Sequence, residues 1–154
     1  MFKVQILKNG SAPFRFRVSA DKLDLNEETN GSNFEGDIEV DGEVTDGGKL
    51  FNVKGTIKYR KSFICDRCLE PSSEECLVEF DEELDKSHAE GDMIDLTEVI
   101  RDTLIASQPI QNLCKEDCKG LCPMCGKNLN EGECNCDRFV ADPRLEALKN
   151  FLND

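Results

Sequence analysis

Nine cysteines fall along the chain at spacings that suit metal ligation. Cys65-Asp-Arg-Cys68 comes first, with Cys76 shortly after it. A denser block follows: Cys114, Cys118, Cys122-Pro-Met-Cys125-Gly, then Cys134-Asn-Cys136. Cys-x2-Cys is the spacing at which one tight turn can aim two thiolates at the same ion, and four thiolates make a closed tetrahedral zinc site. Gly126, directly after Cys125, permits the positive φ of such a turn. Amides in the turn can then point at the sulfurs and favour thiolate over thiol. A closed site holds a fold together and leaves no position for a reacting water, so the pattern argues against an enzyme.

Counting ligands gives two sites. Cys122, Cys125, Cys134 and Cys136 complete one within fifteen residues. Cys65 and Cys68 then take Cys114 and Cys118, clipping the end of one segment to another about fifty residues on, where closing a long loop stabilises most in theory. A second partition joins Cys65 and Cys68 to Cys122 and Cys125 as a zinc ribbon and leaves Cys114, Cys118, Cys134 and Cys136 as the other set. Either way two structural zinc ions are expected, with Cys76 left over as a small buried hydrophobe on a strand. A redox dithiol at Cys65-x2-Cys68 would ordinarily sit at a strand-to-helix junction, whereas strands flank it here. An iron–sulfur cluster is a further reading of four cysteines.

One enzymatic rival has residues behind it. His88-Ala89-Glu90 with Cys122-x2-Cys125 echoes a zinc-dependent nucleoside deaminase, in which His and two Cys hold the metal and Glu moves protons. Leu121 stands where that signature needs proline, and the thiolates are numerous enough to fill every position. His88 is the single histidine, so no Ser-His-Asp array can be argued, and no phosphate-binding loop occurs.

These residues need a scaffold. Phe2, Val4 and Ile6 alternate, as do Phe14, Phe16 and Val18, and both runs predict half-buried strands. Residues 21–33 are polar and read as a loop containing Asn30-Gly31. A strand is expected over 34–45, where Asp41-Gly42 reads as a turn or a bulge, and Asp46-Gly47-Gly48 reads as a hairpin turn. Further strands are expected over 50–60 and 74–80, giving an antiparallel sheet of five or six strands. Residues 81–92 read as an acidic loop. Asp95 with Glu98 fits a capping box ahead of Leu96, Val99, Ile100 and Leu104 at helical spacing, and Pro109 ends that helix. Asp142-Pro143 opens a last helix with Leu145, Leu148 and Leu152 on one face.

The net charge is −13, and it is unevenly placed. Residues 70–98 carry twelve acids against Lys86 alone, a run of −11. Such a run repels a phosphate backbone and suits a basic protein partner. Residues 1–20 contain Lys3, Lys8, Arg15 and Arg17 and no acid. With Lys58, Arg60 and Lys61 they form a basic strip, and Phe14 and Phe16 could stack on bases, so direct RNA contact is the second binding reading. No apolar stretch is long enough to span a membrane, and the N-terminus alternates like a strand rather than a signal peptide. A cytoplasmic protein is expected, in which dense cysteines mean metal more than disulfides.

Three segments together resemble a known family: Cys65-Asp-Arg-Cys68-Leu-Glu-Pro71, then Leu113 through Asn130, then Asp142-Pro-Arg-Leu-Glu-Ala-Leu148. They look like the YceD-like family, bacterial proteins with plastid relatives linked to accumulation of large-subunit ribosomal RNA. The resemblance implies a non-enzymatic accessory factor in 23S rRNA synthesis, processing or accumulation during ribosome biogenesis. It supplies no catalytic residues. A basic ribosomal or RNA-processing protein is then the expected partner, with no membrane and no small-molecule substrate.

The expected fold is α+β: an antiparallel sheet with two helices and a cysteine-rich, zinc-pinned C-terminal module. Residues 1–112 would form the sheet domain with its acidic loop and helix. Residues 113–154 would form the zinc module and last helix, packed as one unit with the first. The expected metal ligands are Cys65, Cys68, Cys114, Cys118, Cys122, Cys125, Cys134 and Cys136.

Overall fold

Period-two alternation of apolar residues builds most of this protein. A computed structural model describes residues 2–6, 10–23, 25 and 31–137. Within them, β1 spans Lys3–Gln5, β2 Ser11–Ser19, β3 Ser32–Asp46, β4 Leu50–Ile64, β5 Pro71–Asp85, β6 Ala89–Glu90 and β7 Met93–Asp95, and α1 spans Thr97–Ala106. The four long strands form an antiparallel meander in the order β2-β3-β4-β5. Its register aligns Phe16 with Val40, Val40 with Ile57, and Ile57 with Val78. That row points inward, and its central members Val40 and Ile57 are wholly buried.

A second row explains a glycine pair. Phe14, Gly42, Gly55 and Phe80 lie side by side across the four strands. A Cβ on Gly42 would stand 2.6 Å from the ring of Phe14, and one on Gly55 would stand 2.8 Å from the ring of Phe80. The two rings thus occupy space that side chains on the central strands would need, and Asp41-Gly42 is neither a turn nor a bulge but continuous strand. The bulge falls earlier in β3, between Glu35 and Glu39, where Gly36 has φ 72°. Asp46-Gly47-Gly48 is the β3–β4 turn, with Gly47 N donating to Leu50 O at 2.9 Å.

The small sheet, ordered β1-β7-β6, closes the core from the other side. Val4 pairs with Ile94, and Phe2 meets the ring of Phe16 edge-on at 5.1 Å. Helix α1 follows at once. Asp95 Oδ1 accepts the backbone N–H of Thr97 at 2.9 Å, and the Thr97 hydroxyl accepts from Phe2 N at 3.1 Å. Ile100 and Leu104 point fully into the core. At the far end Gln108 Nε2 donates to the hydroxyl of Tyr59 at 3.2 Å, tying the helix to β4.

Two expectations are corrected, and others fall outside the described residues. The α+β balance is replaced by a predominantly β architecture, two antiparallel sheets with one α-helix among the described residues. The second expected helix, over Asp142–Leu152, lies outside those residues, as does the Asn26–Asn30 part of the polar loop. Residues 81–92 are not an acidic loop: β5 runs on to Asp85, paired in register with β4 as far as Leu50. Phe80 and Leu84 keep that segment on the sheet, and Asp81 finds Lys54 across the ladder. No described helix is long and apolar enough to cross a membrane.

Candidate metal centres

The hairpin joining β4 to β5 turns on Cys65-Asp-Arg-Cys68. Cys65 N donates to Glu70 O and Leu69 N donates to Cys65 O, both at 2.9 Å. The same turn recurs at Cys122-Pro-Met-Cys125. Cys122 N donates to Lys127 O at 2.9 Å and Gly126 N to Cys122 O at 2.8 Å. Each turn needs a left-handed residue just after its second cysteine. Gly126 supplies it with φ 74°, whereas the first turn places Leu69 there with φ 60°.

The eight expected ligand cysteines gather into two groups of four, Cys65, Cys68, Cys114 and Cys118, and Cys122, Cys125, Cys134 and Cys136. Within each group all sulfurs lie within 4.8 Å of one another. This is the first of the two partitions; the zinc-ribbon arrangement is not formed. Cys65 and Cys118 sulfurs are 3.8 Å apart, and those of Cys68 and Cys114 are 3.6 Å apart. Four sulfurs at about 2.3 Å from a zinc ion span tetrahedral edges of roughly 3.8 Å. A disulfide would bring two sulfurs to about 2.05 Å, and all nine cysteines are free. The donor sets therefore fit a thiophilic divalent metal. His88 is in neither group, and Cys134 and Cys136 complete the set around Cys122, so the deaminase constellation is not assembled. Cys76 stands apart on β5 opposite Tyr59, half-buried, with burial first among the causes that push its thiol up.

The electrostatics of each group also suit a cation. Burial opposes ionisation of Cys65, yet the amides of Cys114, Cys68 and Arg67 bring its thiol down to about 6. The amides of Cys125 and Met124 likewise bring Cys122 to about 6, against its burial. Desolvation, then the neighbouring thiols of Cys118 and Cys68, pushes Cys114 up to about 12. Cys136 rises to about 12 through Cys125 first and desolvation second. Four thiolates in one small volume repel one another, and a divalent ion removes that penalty as it displaces the remaining protons.

The two groups are built into each other. Arg67, inside the first turn, accepts Leu121 N on its carbonyl at 3.1 Å and donates its guanidinium to Cys118 O at 3.1 Å. Gly120 passes so close that a Cβ there would lie 3.0 Å from the Arg67 carbonyl oxygen. Asn130, in the loop between Cys125 and Cys134, donates Nδ2 to the sulfur of Cys118 at 3.4 Å and accepts Lys119 N at 2.9 Å. This contact leads the causes that hold the Cys118 thiol below the ordinary range. Asn112 fastens the module to the sheet: it exchanges backbone and side-chain bonds with Asp66 at 2.8 and 2.7 Å and accepts the hydroxyl of Ser32 at 3.1 Å. Sequence spacing reveals none of these supporting residues, because their partners are set by how the loops cross.

The arginines of the basic strip are exposed but paired with acids. Arg15 and Arg17 pair with Asp41 and Glu39, Arg60 with Glu75 at 2.7 Å, and Lys61 with Glu74 at 3.1 Å. Lys61 is 1% exposed and Phe14 is 8% exposed, so both belong to the interior. Lys8 lies outside the described residues. The acidic run, in contrast, lies along β5 and around the start of α1.

Comparison with known proteins gives two findings. Residues 79–152 match the family described as "Large ribosomal RNA subunit accumulation protein YceD". Over 58 residues the chain is 38% identical to "Large ribosomal RNA subunit accumulation protein YCED homolog 1, chloroplastic" of Arabidopsis thaliana. That match covers 38% of this chain and 18% of the plant protein, so the chain spans well under a quarter of its relative's length. No solved structure matches.

Proposed function

We propose, from the match of residues 79–152 to the YceD family, that this chain supports accumulation of large-subunit ribosomal RNA. The observation that carries this reading is the extent of the match, which takes in the acidic half of β5, helix α1 and the cysteine module together. The chain acts by binding rather than by chemistry, as an accessory factor whose acidic face receives a basic ribosomal or RNA-processing protein. The −11 run over residues 70–98 supports that partner chemistry. The two cysteine groups hold structural zinc. Cysteine sulfur suits a borderline-soft ion without redox chemistry, and the sulfur spacings suit a tetrahedron.

The test removes the gene from its source and quantifies large-subunit ribosomal RNA against small-subunit RNA. A selective fall in the large-subunit species, restored by the intact gene, is expected; an unchanged ratio refutes the reading. Elemental analysis of protein purified without chelator should find close to two zinc ions per chain. Finding no metal, with nine freely titrating thiols, would refute both sites as natively loaded.

A further inference from the structure

We infer that the outer edge of β5 is a docking edge, onto which an extended basic segment of a partner protein adds as a fifth antiparallel strand. The inference rests on the basic-partner reading above and supplies its geometry.

Strand β5 ends the meander, and among the described residues no backbone hydrogen bond leaves its far side. It is fifteen residues long, with proline only at its first position. A long unpaired edge is a template for strand addition, which proteins ordinarily blunt with charge or proline. The opposite edge of the sheet is blunted in that way: β2 has nine residues and carries Pro13 in its interior. On β5 the charge is all of one sign, so it selects rather than merely repels.

The sheet's solvent face indicates what is selected. Its charges run in stripes, positive on β2, negative on β3, positive on β4 and negative on β5, joined by pairs such as Arg17 with Glu39 and Lys54 with Asp81. A further strand with Lys or Arg at alternate positions continues the alternation. Strand β4 does not use up the acids of β5. Glu79 and Glu83 stand opposite the uncharged Thr56 and Asn52. On the inner side of the edge, a cleft of about 240 Å³ opens between β5 and α1, with Leu84 and Val99 beside the carboxylates of Glu82, Glu98 and Asp102. Lysine stems on the other face of an added strand can lie along Leu84 and Val99 with their heads at those acids. A second copy of β5 is rejected by like charge, and a phosphate backbone is rejected for the same reason.

The test uses the whole metal-loaded chain and a nine-residue peptide alternating lysine and threonine, with binding read by fluorescence anisotropy. Two further peptides carry N-methyl groups on alternate backbone nitrogens, one set blocking each edge of the extended peptide. The edge carrying the pairing amides should lose affinity by about tenfold or more when methylated, while the other phase binds as the parent does. Amides of β5 should gain hydrogen-exchange protection on binding. The Glu79→Lys/Glu83→Lys variant, altered at solvent-facing positions, should bind at least about tenfold more weakly. Equal affinities for the two methylated peptides would overturn strand addition while leaving a basic partner in place. Failure of every basic peptide to bind would overturn both readings. Self-association of the chain through this edge, seen by sedimentation, would overturn the choice of occupant.

Discussion

Asn130 belongs to the loop of one cysteine group and serves the other, so replacing it with alanine should weaken the metal site it does not flank. Its amide donates to the sulfur of Cys118 at 3.4 Å, and its carbonyl accepts the amide of Lys119 at 2.9 Å. A second amide hydrogen bond to Asn128 Oδ1 at 2.9 Å fixes the orientation of the donor. A hydrogen bond to a charged group is worth roughly 1.5–3 kcal/mol. A loss of that size corresponds to about 10- to 150-fold in affinity at 1.4 kcal/mol per decade. It matches the 10- to 100-fold cost typical of deleting an outer partner of a metal ligand. Competition with a chromophoric chelator gives the two dissociation constants, and cadmium-113 resonances of the substituted protein distinguish the sites. Asn130→Ala should weaken the Cys65–Cys118 site by one to two decades, with a smaller change at the Cys122–Cys136 site. Two affinities within twofold of the parent, or a loss confined to the second site, would refute the coupling.

Further outcomes follow from the backbone and from Asp95, which precedes the N-cap residue Leu96 and accepts Thr97 N. Leu69 holds φ 60° and is 62% exposed, so little burial offsets its strain; Leu69→Gly should raise stability in urea by about 0.5–1 kcal/mol after the entropy glycine costs the unfolded state. Gly55→Ala would set a Cβ 2.5 Å from the Asp41 carbonyl oxygen and 2.8 Å from Phe80, and should cost about 1–3 kcal/mol by thermal unfolding. Asp95→Ala should cost about 1 kcal/mol near neutral pH. Burial opposes ionisation of Asp95, but the hydroxyl and amide of Thr97 hold its carboxyl below the ordinary 3.8. Its stabilisation is therefore present above that value and is lost as pH falls through the lower folded one, so parent and variant should converge in acid. A difference that persists there would place the effect in packing instead.

The parts that were legible in the sequence depend on local rules. Alternation in Phe51, Val53, Ile57 and Tyr59 needs only one buried face, and β4 follows it. Asp46-Gly47-Gly48 and Pro109 act over a few residues, and the turn and the helix end stand where they punctuate. The acidic stretch beyond Phe80 reads as a loop because its strand character lies in its neighbour: residues 81–85 pair with β4 as far as Leu50, and Asp81 faces Lys54 across the ladder. Gly42 looked like a turn residue for a similar reason, since Phe14, which needs its space, is far off in the chain. Cys-x2-Cys spacing marked the turns, but assigning Cys114 and Cys118 to Cys65 and Cys68 required knowing that Asn112 brings the post-helix segment back to the β4–β5 hairpin. The expected α+β balance gave weight to a helix over Asp142–Leu152, while among the described residues strands carry the architecture.

Cys68 and Cys114 meet across 46 residues, and the acidic run of residues 70–98 lies between them. An ion at that junction would close β5, the small sheet's later strands and α1 into a ring. Ring closure removes conformations from the unfolded segment, and withdrawing the ion gives them back. The strand edge starts at this junction, with Pro71 three residues past Cys68. Scarcity of metal would therefore loosen the edge from its first residue onward. The order of the acidic edge would then depend on whether this junction holds its ion.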